Sequence, residues 1–135
     1  LFLAEKGGGA FRNGERIVVS DVGAVGSARA EIDFSGPWDR EEILQRFSPL
    51  MIAIGQVRCH CAAVIGLCSI ATADMDAYVH VALNPYDYAA AMIIVEEAGG
   101  LVTRLDGRPI HVFDGGRGVL ASNGLLHDAL MGVIV

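Results

Sequence analysis

The sequence is short of cysteine, of basic charge and of long apolar runs, and each shortage removes a class of protein. Only three cysteines occur in 135 residues, Cys59, Cys61 and Cys68. That is too few for a disulfide framework and fits a reducing compartment. Ten Lys and Arg stand against sixteen Asp and Glu, a formal net charge of -6. The basic residues are scattered, so no surface able to displace counterions from nucleic acid is expected. An acidic protein that takes up phosphate does so through cations and backbone N-H groups, since its own field repels the anion. No apolar run reaches the roughly 18 residues that span a bilayer, and no basic-then-apolar leader opens the chain. We expect a soluble, cytoplasmic protein that partners neither membrane nor nucleic acid. Repeats, low-complexity tracts and a dividing linker are lacking too, and the length suits one sizeable core. Leu1 is not a methionine and runs straight into strand-like residues, which we read as a cut in a longer polypeptide.

What is present is apolar: 53% of residues are hydrophobic, so part of that surface is expected to meet another segment. Phe2 to Ala4 and Ala10 to Phe11 read as strands around Gly7-Gly8-Gly9. Asn13-Gly14 is a type I' hairpin signal before Glu15 to Ser20. A strand over 28–34, a helix over 40–47 capped by Asp39, and a short strand over 51–54 follow. Val57 to Cys59 continues that strand, a helix covers 62–73 and a strand covers 77–81. Beyond residue 100, strands are expected over 101–103, 110–113 and 119–121, with turns at Asp106-Gly107 and Asp114-Gly115-Gly116. Asn123 caps a last helix over 124–133. The order describes an α/β fold, a layered sandwich of sheet and helices, with ligands at strand ends.

The most informative stretch runs from Asn84 to Gly100. Asn84 suits an N-cap, Pro85 suits the first helical position, and Gly99-Gly100 supplies a left-handed stop. Asp87 falls in the first turn, beside unpaired N-H groups and the positive end of the helix dipole, where metal and phosphate would meet. A capping box, with Asp87 returning a hydrogen bond to the N-cap, explains the same residue, and spacing alone favours it. Cys59-His60-Cys61 invites a zinc assignment. On a strand, however, His60 faces away from the two cysteines, so convergence would need a sharp bend, and we expect the cysteines to be buried small hydrophobes. His111 and His127 read as surface residues, and Asp106 and Asp114 as turn residues.

Tyr86-Asp87-Tyr88-Ala89-Ala90, the run from Ile94 to Gly100 and Asp106-Gly107 together resemble the second signature of the inositol monophosphatase family of magnesium-dependent, lithium-sensitive phosphatases. The stretch from Ala4 to Gly14 resembles the same family's hairpin, and Val119 to Asn123 its last strand. The resemblance spans nearly the whole chain and implies the carboxy-terminal half of such an enzyme. Residues 1–20 would then be a hairpin completing the sheet of an amino-terminal half, and residues 21–135 the carboxy-terminal α/β domain.

The implied activity is hydrolysis of a small phosphomonoester such as an inositol phosphate, with Mg2+ as cofactor and a homodimer as the common assembly. Asp87 matches the one metal-binding aspartate of the family's second half. In the family the remaining ligands sit in the first half, in a Glu-Glu pair and an Asp-Pro-Ile-Asp-Gly-Thr run. No such run occurs here, so these ligands would come from the missing amino-terminal half. No catalytic residue is assigned within the chain. The family segment Arg, two variable residues, Gly, Ser or Thr, Ala, Ala lines the leaving-group pocket. Its substrate-binding positions fall at Cys61, Ala62 and Ala63, with Cys61 in place of glycine and Ala62 in place of the hydroxyl residue. The acid that binds inositol hydroxyls falls at His80, which is either a strand histidine with a satisfied polar neighbour or a substrate contact. An imidazole cannot accept the same pair of hydroxyl hydrogen bonds as a carboxylate. Tyr86 would pack at the pocket wall. The altered pocket also leaves open a non-catalytic interaction domain that retains the fold.

Overall fold

A computed structural model describes residues 1–34, 36–37, 39–113 and 117–134. Three short strands, β1 (Phe2–Glu5), β2 (Gly9–Arg12) and β3 (Glu15–Ile17), form an antiparallel meander. Asn13 and Gly14 both have positive φ, 53° and 86°, as the expected I' turn requires. A second sheet has the order β5-β4-β6-β8-β7, built from β4 (Arg29–Asp33), β5 (Gln56–Arg58), β6 (Ala77–Leu83), β7 (Leu101–Arg104) and β8 (Arg117–Ser122). Strands β5, β4 and β6 run parallel, and β8 and β7 add antiparallel pairs at the other side.

Helices cover both faces of this sheet, which is the layered sandwich expected from the order of elements. On one side α1 (Arg40–Ala53) and α4 (His127–Ile134), with Leu126 just before it, pack Phe47, Leu50, Leu126 and Leu130 against Ala30, Ile32, Ala77 and Val79. On the other, α2 (Ala63–Ala71) and α3 (Pro85–Glu97) pack Leu67, Ile70, Ala91 and Val95 around Tyr78. The alternation of a strand sends Ala77 and Val79 to the first layer and Tyr78 and His80 to the second. Gly66 lets α2 come down onto the sheet, because a Cβ there would lie 2.5 Å from the Tyr78 ring. The meander is held to α3 by Glu97, whose two oxygens accept the N-H groups of Gly7 at 2.7 Å and Gly9 at 2.8 Å. Those bonds hold the Glu97 carboxyl below its usual range.

Several expectations need correction. Residues 51–54 are not a strand: α1 continues to Ala53 in spite of Pro49. Pro49 has no N-H for the Gln45 carbonyl, and the Ser48 hydroxyl takes it instead at 3.2 Å. Burial of Leu50 on the sheet sustains the extra turn. Residues 110–113 form no strand, and only an isolated bridge between Thr103 and Pro109 stands nearby. The turn expected at Asp114-Gly115-Gly116 lies outside the described residues. His127 is buried, 3% exposed. The Thr103 hydroxyl donates to the Arg104 carbonyl, so His127 Nε2-H donates to Thr103 Oγ1 at 2.8 Å. Ser122 Oγ pairs with Nδ1 at 2.9 Å, and burial holds this imidazole neutral by lowering its pKa.

Candidate metal and phosphate site

Parallel strands β4 and β6 end side by side, with Asp33 opposite His80 and Glu31 opposite Tyr78. All four side chains face the α2 and α3 layer, and all four are buried. Beyond His80 the register with β8 shifts before Leu83, an irregularity that re-aims the side chains at this end of the strand. The chain then turns at Asn84 into α3. The result is an open cleft of about 300 Å³ lined by Asp33, Cys61, Ala63, His80, Ala82, Leu83, Asn84 and Asp87.

Two helices start at this cleft. Helix α2 begins after Ala62, which has no side chain to accept a cap hydrogen bond, so its leading N-H groups remain for other partners. Helix α3 begins after Asn84, and Asp87 Oδ2 accepts the Asn84 N-H at 3.0 Å. Asp87 therefore does serve the helix cap, as spacing suggested. The capping role uses one oxygen, and Oδ1 has no hydrogen-bond partner among the described residues. Two N-terminal dipole ends beside carboxylates suit an anion together with a cation that bridges it to the acids.

The His80 ring is oriented by its neighbours. Nδ1 accepts the Ala82 N-H at 3.0 Å, which puts the proton of the neutral ring on Nε2, 3.8 Å from Asp33 Oδ1. Burial lowers its pKa, and the charges of Asp33 and Asp87 oppose that without reversing it. Beneath it the Tyr78 hydroxyl is buried with no partner among the described residues. Burial first, and then the nearby acids, raise its pKa.

The structure thus brings together Asp87, His80, Cys61 and Ala63 of the residues singled out from sequence. Ala62 lies beside them as the α2 cap and does not line the cleft. Tyr86 is not at the wall: its side chain is 81% exposed, on the outward side of the first turn of α3. Cys59 and Cys61 are exposed and only Cys68 is buried, so two of the three expected core cysteines are surface groups. The sharp bend thought necessary for their convergence exists, at Cys61 with φ of +56°. Asp33 was missed. Its only sequence signal is alternation, since Ala30 and Ile32 on β4 are apolar while Glu31 and Asp33 on the other face are acidic.

Compared with known proteins, residues 1–135 match the model of the inositol monophosphatase family. A chloroplastic phosphatase of Arabidopsis thaliana is 38% identical over 96% of this chain and 35% of its own length. A fructose-1,6-bisphosphatase/inositol-1-monophosphatase of Thermotoga maritima is 36% identical over 97% of this chain and 49% of its own. Among solved structures, an inositol monophosphatase from Anabaena superposes with a TM-score of 0.87 at 32% identity, over 98% of this chain and 52% of that one. The suhB protein of Bartonella henselae gives 0.91 at 26% identity, again over 98% of this chain and 52% of that one. The chain spans about half or less of these relatives and corresponds to their carboxy-terminal part.

Proposed function

The chain belongs to the inositol monophosphatase family, and on that premise we propose that it is the carboxy-terminal half of a metal-dependent phosphatase acting on a small phosphomonoester such as an inositol phosphate. The observation that carries this reading is the meeting of Asp87, His80 and the starts of α2 and α3 at one strand-end cleft. Mg2+ is the proposed cofactor, and Asp87 is the chain's own ligand to it. A carboxylate with one oxygen not engaged by the protein fits a hard cation, which takes one or two protein carboxylates and fills its shell with water and phosphate oxygens. When bound, the ion supplies positive charge at the phosphoryl group and an activated water. The chain's residues hold and orient: Asp87 fixes the cation, and the N-H groups opening α2 receive phosphate oxygens, with the dipole of α3 adding positive potential. His80 Nε2-H and the side of the cleft formed by Cys61 and the Ala63 methyl meet the alcohol side of the substrate, with Ala62 behind them as the α2 cap.

An amino-terminal half supplies the other metal ligands in this reading. The meander of residues 1–20 extends that half's sheet, with residues 21–135 as the α/β domain. A cytoplasmic homodimer is the proposed assembly. No helix of the described residues is long and apolar enough to cross a membrane. The protein with its amino-terminal half should release phosphate from a phosphomonoester panel in the presence of Mg2+. Absence of phosphate release with every divalent metal would instead support an interaction domain that kept the fold.

A further inference from the structure

The rim of the cleft gathers a second, softer kind of ligand. Strand β5 ends at Arg58, and the bend at Cys61 turns the sulfurs of Cys59 and Cys61 to within 3.6 Å of one another. His60 is drawn away, its backbone N-H and ring Nδ1 bound to the two oxygens of Glu31 at 3.2 and 3.0 Å. Asp33 stands where the histidine does not: a carboxylate oxygen and the two sulfurs all lie within 4.8 Å of one another. Two thiolates at about 2.3 Å from a tetrahedral ion are themselves about 3.8 Å apart. The sulfur separation is already close to that of a thiolate pair on one ion.

We propose that Cys59, Cys61 and Asp33 form a binding site for a thiophilic divalent cation of the Zn2+ type, with its fourth position open to water. The ligands are two sulfurs from one bent loop and one oxygen from the end of β4, so binding draws in side chains with little movement of backbone. Binding exchanges two S-H bonds for two metal-sulfur bonds and releases two protons to solvent, with no change of oxidation state. The ion takes the sulfurs as thiolates, so protons compete with it for both cysteines. Affinity therefore rises with pH. Sulfur donors select against Mg2+, which demands oxygen, so this site and the Asp87 cation answer to different metals.

Co2+ added to the reduced chain is the direct probe. One equivalent should give thiolate-to-cobalt charge-transfer absorption that one equivalent of Zn2+ removes and a large excess of Mg2+ does not. Cys59→Ser and Cys61→Ser should each abolish the band, and Asp33→Asn should weaken Co2+ binding at least about tenfold. Cys59 and Cys61 are exposed, and unchanged thermal unfolding of their serine variants confirms that only the ligand was lost. Asp87→Asn should leave the band intact, which separates this site from the phosphatase reading. No band in the reduced chain, or a band that survives in the double serine variant, overturns the proposal.

Discussion

The two ends of strand β6 carry carboxylates that the fold uses in opposite ways. At the start, Asp76 is fully buried and saturated. One oxygen accepts the Arg29 backbone N-H at 2.7 Å and Nε at 3.2 Å, while the other accepts the Ser20 hydroxyl at 2.6 Å and Arg29 Nη2 at 3.1 Å. At the far end Asp87 opens onto a cleft, with one oxygen on the helix cap and the other not engaged by the described residues. The first arrangement closes the structure. The second leaves charge that an outside cation can meet, beneath helix starts that favour an anion. Sequence offers the same residue type at both ends, so the difference lies in which neighbours the topology delivers.

Removing the carboxylate at the closed end should have the largest effect on the fold. Asp76→Asn removes the buried charge that pairs with Arg29 and turns one of the two acceptor oxygens into a donor facing Arg29 or Ser20. It should cost roughly 2 to 4 kcal/mol in denaturant unfolding, discounted because Arg29 is partly exposed. Burial raises the Asp76 pKa, but the hydrogen bonds from Arg29 and Ser20 outweigh it, so the folded value lies below the ordinary 3.8. Its stabilisation is therefore complete above that pH and disappears as pH falls through the folded value. The variant should lack this acid limb. If it unfolds like the parent chain at neutral pH, the contrast between the two ends is lost.

A smaller gain should come from the open end. Ala62→Ser supplies α2 with the side-chain cap it lacks and should raise stability by about 1 kcal/mol. A loss of stability on thermal unfolding would mean that the leading N-H groups of α2 are already engaged. The smallest effect concerns His127, held neutral by burial. Its folded pKa lies below 6.5, so its contribution is present above that value and fades as pH drops toward the folded one. His127→Gln should flatten the pH dependence of unfolding in that window, and an unchanged profile would remove His127 from the account.

The local elements around this contrast are legible in the sequence, and the contrast itself is not. Asn84, Pro85, Asp87 and Gly99-Gly100 announce α3 because capping and left-handed stops are local chemistry, and Asn13-Gly14 announces its turn for the same reason. The pairing of Asp76 with Arg29 was not legible, since it spans 47 residues and depends on β4 and β6 lying parallel. Asp33 was missed for the same cause: its place beside His80 is set by register, not by neighbours in sequence. The helix expected over 40–47 is too short because what carries α1 past Pro49 to Ala53 is Leu50 buried on the sheet, a contact between distant parts of the chain. His127 looked like a surface group because its partners, Thr103 and Ser122, come from two other strands.

The most direct test is a Mg2+ titration of phosphate release by the protein with its amino-terminal half, comparing the natural sequence with Asp87→Asn. The account predicts Mg2+-dependent turnover that falls to background in the variant at every Mg2+ concentration while the variant remains folded. Undiminished turnover by Asp87→Asn would contradict it.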